Sequence, residues 1–146
     1  MARRATQQIT LGEVEYVAHR IAQELMEYGE PIPPFDTRYP EVLESCLKQP
    51  FQKFDSKSLY PTIERKGAVL FYLMIKNHPY KNGNKRVAVV TLLYFLSENG
   101  RWLEVDNVTL YQFAKKIAVS DPSNYVDSQS QILEFIKKYI KIGIVS

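Results

Sequence analysis

His78-Pro79-Tyr80-Lys81-Asn82-Gly83-Asn84-Lys85-Arg86 separates the two longest apolar runs of the chain, residues 68–75 and 87–96, the second interrupted by Thr91. Each run is well short of the roughly 20 residues that a membrane-spanning helix needs, so both read as buried core elements. Apolar on every side, they predict a central pair of helices joined by this polar segment. A plain connector would not need two adjacent cations, a glycine, amides and an imidazole. Backbone N–H groups around Gly83 and at the start of the second helix, with Lys85 and Arg86, make a candidate anion cradle. His78 is a candidate general base at neutral pH. The same residues also have a reading without chemistry. Asn84 suits a helix N-cap, Gly83 a turn, and His78 a helix C-terminus, where the dipole favours a cation.

Outward from this segment the pattern stays helical. Pro61 opens a helix over 62–77, and Asn99-Gly100 closes the helix that contains 87–96. Thr10-Leu11-Gly12-Glu13 fits a capping box. Leu11, Val14, Val17, Ala18, Ile21, Leu25 and Tyr28 then follow at helical spacing, and Gly29 is a stop. Pro31-Ile32-Pro33-Pro34 reads as a rigid loop rather than a domain boundary, because the single helix before it has no core of its own. A short helix over 40–49 puts Val42, Leu43, Cys46 and Leu47 on one face. Residues 51–59 alternate imperfectly and predict a small hairpin or exposed flap. Helices over 109–119 and 129–142 complete an all-α bundle with at most one hairpin, a single domain over 1–146.

Composition narrows the function classes. The chain has 146 residues, 45% hydrophobic and 24% charged, enough for a real core in one domain. A lone cysteine, Cys46, excludes a disulfide framework and favours an intracellular, cytoplasmic setting. His19, Cys46 and His78 lie too far apart in sequence for a structural zinc site of the usual kind. A net charge of +3 is too small to argue for nucleic acid. No targeting segment is visible, since Met1-Ala2-Arg3-Arg4 leads into polar residues, and no membrane partner is expected. His19 reads as a surface or boundary histidine, Cys46 as core, and Trp102 as a cover over the end of the bundle. Lys115-Lys116 and Lys137-Lys138 read as solvated helix faces.

The segment 78–86 resembles the signature of the Fic/Doc family: a histidine, an aromatic residue two positions on, an acid, Gly-Asn, and then Gly-Arg or Lys-Arg. Its ending, Asn84-Lys85-Arg86, is similar to the Doc (death-on-curing) branch. Leu43-Glu44-Ser45-Cys46-Leu47, Leu59-Tyr60-Pro61, Asn77, Leu92-Leu93-Tyr94-Phe95-Leu96 and Asn99-Gly100 extend the similarity over residues 10–119. The resemblance implies an all-α fold with a small β-hairpin flap over the active site. It also implies use of ATP or another nucleotide, with Mg2+, to modify a hydroxyl of a target protein. Most members transfer AMP, whereas Doc-type toxins transfer a phosphoryl group and poison translation. On this resemblance His78 takes the proton from the target hydroxyl and Tyr80 anchors the loop. Gly83, Asn84, Lys85 and Arg86 bind phosphates, and Arg86 also neutralises developing charge. Phe51, Lys53, Asp55 and Lys57, in the flap, hold the target segment as an added strand. Such chemistry needs positioning, in-line attack and charge stabilisation.

Two positions depart from the family pattern. Asn82 stands where the family has Asp or Glu as magnesium ligand, and a neutral amide lacks the charge that favours a hard cation. Val89 stands where the Fic branch has a further arginine, which fits the Doc branch. The inhibitory motif of many members has no full match: Tyr94 precedes Glu98-Asn99, and Ser130 to Glu134 leads into Phe135. The implied restraint is therefore external, an antitoxin. Beside a toxin that modifies a translation factor stand two other readings. One is a catalytically impaired Fic-fold protein that binds a nucleotide or a protein. The other, weaker, is a helical nucleic-acid-binding module.

Overall fold

The computed structural model describes residues 6–25, 32 and 38–143. Thr10 opens the first helix with a full capping box, its hydroxyl accepting the Glu13 N–H while the Glu13 carboxylate accepts the Thr10 N–H, both at 3.2 Å. This helix, α1, runs through Leu11–Glu13, a π-helical stretch Val14–His19, and Arg20–Leu25. A π-turn takes an extra residue and brings i and i+5 into line. Val14 and His19 are therefore both buried, with Ala18 and Ala22, while Ile21, expected on the inner face, is 36% exposed. The expectation that His19 lies at the surface is corrected by the same shift. Tyr28, Gly29, Pro31, Pro33 and Pro34 lie outside the described residues.

Helix α2, Pro40–Lys48, starts on a proline and buries Leu43, Cys46 and Leu47. A 3-10 turn, Gln49–Phe51, leads to a hairpin of β1, Lys53–Phe54, and β2, Lys57–Ser58. Its two-residue turn, Asp55–Ser56, has positive φ at both positions (52° and 64°), which suits the right-handed twist of the strands. Helix α3, Ile63–Lys76, is capped by Thr62 and buries every residue from Lys66 to Ile75. Helix α4, Asn84–Glu98, is equally enclosed over most of its length. The two form the expected central pair. Gly67 lets them approach: a Cβ there would lie 3.2 Å from Leu92 and 3.5 Å from Ile136, the latter on the last helix. Full burial of such aliphatic side chains stabilises by about 1.5–3 kcal/mol each.

Helix α5, Asn107–Ala118, is capped by Asp106, and helix α6, Tyr125–Tyr139, packs on α3. The sequence pattern carried α6 on to residue 142. Instead the chain turns extended after Tyr139, and β4, Ile140–Ile142, pairs antiparallel with β3, Arg101–Leu103. Two β-branched residues in alternation explain the change: the helical period ends at Tyr139 and a period of two begins. Trp102 is part of this second small sheet and is 37% exposed. Among the described residues, no helix is long and apolar enough to cross a membrane.

Candidate active site

The loop between α3 and α4 is fixed from several sides. After the C-cap Asn77, His78 takes a left-handed conformation, φ 51°. A non-glycine residue held there carries roughly 1–2 kcal/mol of strain. The turn lifts His78 out of the core and into solvent, whereas Tyr80, two residues on, is only 1% exposed. The Tyr39 N–H donates to the Pro79 carbonyl at 2.8 Å, tying the start of α2 to the loop. On the other side, Lys76 Nζ donates to the Ala118 and Ser120 carbonyls at 3.2 and 2.6 Å. The last turn of α3 thus caps the C-terminus of α5.

Asn84 is the centre of the loop's hydrogen bonding. Its Oδ1 accepts the Tyr80 N–H and its Nδ2 donates to the Tyr80 carbonyl, both at 2.9 Å. The same Nδ2 lies 3.4 Å from His78 Nδ1. Asn84 is therefore not the N-cap; that position belongs to Gly83, with φ 78°. A side chain at residue 83 is excluded twice, by the left-handed backbone and by Ile32, whose Cγ1 would be 2.6 Å from an added Cβ. The Asn84 side chain is engaged with Tyr80, so any phosphate contact from this residue falls to its main chain.

The helical ladder of α4 begins with the Val87 N–H on the Gly83 carbonyl at 3.0 Å. The amides ahead of it open the helix, at the positive end of its dipole. Lys85 is half-buried and Arg86 is buried, 4% exposed. Between Glu64 and Glu98 the chain carries six lysines and arginines and no acid. His78, Tyr80, Gly83, Asn84, Lys85 and Arg86 are thus gathered at one loop–helix junction of positive character. A cavity of about 530 Å³ lies at the other end of α3 and α4, but Glu64 and Glu98 line it beside Arg101. Two carboxylates make it a poor place for phosphate.

Asn82 Oδ1 accepts the Gly83 N–H at 2.8 Å and helps shape the turn. Mg2+ held by a protein favours carboxylate oxygens. Among the described residues no three His, Cys, Asp or Glu side chains come together to hold a metal. The residues at the loop do not fit a protein-held Mg2+.

Phe51 is half-buried, while Lys53, Asp55 and Lys57 are exposed. Lys66, near the start of α3, fixes the hairpin's base: its Nζ donates to Ser58 Oγ at 3.1 Å and to the Tyr60 carbonyl, and stands 5.5 Å from the Phe51 ring. Burial, and then the charge of Lys53, lower its pKa. Ten residues of helix, about 15 Å, separate Lys66 from Lys76 at the loop end. The base of the hairpin is thus fixed near the start of α3.

Sequence reasoning missed two supports of the loop, Ile32 under Gly83 and His19 under Tyr80. The His19 and Tyr80 rings stack with centroids 5.1 Å apart and planes at 29°. Cys46 is core, as expected, and burial pushes its thiol up to about 12 against weaker opposing pulls from its backbone and Asn77.

These features define a mainly helical fold whose positive loop–helix junction carries an exposed histidine. The model of the Fic/DOC family matches residues 8–96, and the chain belongs to that family. Membership supports nucleotidyl transfer, such as AMP transfer, as its general activity. No curated protein and no solved structure matches the chain.

Proposed function

We propose that the protein is a Doc-like toxin that transfers a phosphoryl or AMP group from ATP, or another nucleotide, to a hydroxyl of a target protein in translation. The observation that carries this reading is the junction itself: an exposed imidazole beside a helix N-terminus that bears Lys85 and Arg86. The target oxygen attacks phosphorus, its proton passes to the unprotonated ring nitrogen of His78, and the bond to the leaving group breaks. ADP leaves in phosphoryl transfer, pyrophosphate in AMP transfer. Main-chain amides of α4 and the two cations hold the phosphates and stabilise the charge that builds on them. The hairpin can still dock the target as an added strand. An extended segment of about five residues spans the 15 Å or so from its base to the loop.

ATP labelled separately at the α and γ phosphates, incubated with the protein and a bacterial lysate, tests the reading. Transfer of either label to a discrete protein supports it and names the group; no transfer counts against it. Expression alone should be toxic, because the chain has no complete inhibitory motif of its own, and Arg86→Ala should relieve the toxicity. An antitoxin should restore growth with the wild type.

The Asn82 geometry favours a second reading, a nucleotide- or protein-binding module with impaired catalysis. Nucleotide and Mg2+ titrations separate the two. An enzyme should need both, whereas a module holds nucleotide without the metal.

A further inference from the structure

We propose that the cavity between the start of α3 and the end of α4 binds a free basic α-amino acid, lysine or arginine, apart from the loop–helix junction and independently of the reading of His78. The cavity, about 530 Å³, has the size of a small-molecule site. Its wall is tied together. The Asn99 carboxamide accepts the Gln7 N–H at 2.6 Å and donates to the Gln7 and Phe95 carbonyls at 3.1 and 2.8 Å, joining the segment ahead of α1 to the end of α4. Arg101 Nη1 donates to the Asn99 carbonyl at 2.6 Å, which fixes the guanidinium to the same wall.

Glu64, Glu98 and Arg101 bring full charges to the lining. None of them is in an ion pair among the described residues, although opposite charges gain by pairing. Glu98 stands beside the Tyr94 hydroxyl, a neutral group that leaves its charge uncancelled. It is the last residue of α4, and the last turn of that helix carries no basic residue. A carboxylate there faces the negative end of the helix dipole, where a cation is favoured. A local conflict of this kind is characteristic of functional sites, and a bound cation relieves it. Glu64 adds a second negative charge from the first turn of α3. Arg101 keeps donors beyond the one spent on Asn99, in the planar array that suits a carboxylate. The charged lining is thus two negative groups and one positive. Its complement is two cations and one carboxylate, which is the charge pattern of lysine or arginine at neutral pH. A diamine would leave Arg101 unmatched, and a neutral amino acid would leave one carboxylate unmatched.

Three probes test the site on the full-length protein: L-lysine, cadaverine (lysine without its carboxylate) and L-norleucine (lysine without its side-chain ammonium). Each is titrated at the same low ionic strength, without nucleotide, and followed by calorimetry and by amide NMR shifts. Lysine should give saturable shifts centred on Glu64, Glu98 and Gly100. Cadaverine and norleucine should each bind about fivefold or more weakly than lysine, since each lacks one charge-assisted contact. Glu98→Gln should weaken lysine by about fivefold or more, and Arg101→Gln should do the same to lysine without weakening cadaverine. Cadaverine bound as tightly as lysine would overturn the proposal, because the guanidinium would then have no part in recognition. Norleucine bound as tightly would overturn it too, as would lysine shifts that do not saturate or that scatter over the surface. If Arg101→Gln does not fold, the three probes on the wild type decide by themselves. Label transfer from ATP is no part of the readout, so failure of the enzymatic reading leaves this result standing, and the reverse holds as well.

Discussion

Helix α3 carries a different kind of projection at each end. At its start, the hairpin exposes Phe54 to 75% and is held at its base by the buried ammonium of Lys66. At its end, the loop exposes His78 but roots Tyr80 in the core, and Asn84, His19, Tyr39 and Ile32 hold the loop from separate parts of the chain. Both projections hold non-glycine residues in the left-handed region: Asp55 and Ser56 at the hairpin tip, His78 in the loop. The difference lies in what resists movement. A tip in solvent can relax when its turn is changed, whereas a turn held from several parts of the chain resists such a change. Rigid positioning of reacting groups is what group transfer asks for, and only the loop has it.

The largest effect should come from the loop's one exposed imidazole. His78→Ala should lower label transfer about 10²–10⁴-fold with little change in thermal unfolding, since the side chain lies in solvent. Transfer at the wild-type rate by the folded variant would remove His78 from the chemistry. Next come the two aromatic projections. Tyr80→Ala empties a fully buried site and should destabilise by about 3–5 kcal/mol, while Phe54→Ala in the hairpin should stay within about 0.5 kcal/mol. Chemical denaturation of both variants checks the pair, and equal losses would erase the contrast between the two ends.

Asn82→Asp should act more gently. It restores the charge that a hard cation favours, so nucleotide binding in Mg2+ should tighten by at least several-fold. One charge-assisted contact is worth about 1.5–3 kcal/mol. Calorimetric titration with and without Mg2+ decides, and tight Mg2+-dependent binding by the wild type, unchanged by the substitution, would show that Asn82 is no handicap.

The smallest effect belongs to the hairpin's anchor. The folded-state pKa of Lys66 is lowered, by burial first and by Lys53 second. Between that lowered value and the ordinary lysine value the unfolded chain binds more protons, so stability should rise with pH across the interval. Lys66→Met should flatten this rise and speed amide exchange in the hairpin, with transfer changed less than about threefold. A steep loss of transfer would mean that the hairpin is coupled to the loop after all.

The central pair of helices was legible because their residues are apolar on all sides, a pattern that admits few other placements. The junction was legible because polar and cationic residues interrupt that pattern. The supports of the loop were not. His19 was read as a surface residue since a regular helical period turns it away from Val14, and nothing in the residue types announces a π-turn. Asn84 was placed as a cap because asparagine favours that position, whereas its amide instead closes a ring with Tyr80. The anchor of the flap's base was hidden for a related reason. Spacing in sequence says that a hairpin precedes α3, but only the packing of Lys66 says to which end it is fixed. The second sheet was missed because Ile140 and Ile142 continue a plausible apolar stripe for α6 until Arg101–Leu103 is seen beside them.

Cys46, buried beneath α3 with its thiol pushed up to about 12, has a consequence for labelling. Thiol reagents attack the thiolate at an accessible sulfur, and this sulfur offers neither condition. The native chain is therefore silent towards maleimides while folded. A cysteine introduced at Lys81, on the exposed side of the loop, would be the one reactive thiol, so a single fluorophore could report loop motion without removing the natural cysteine.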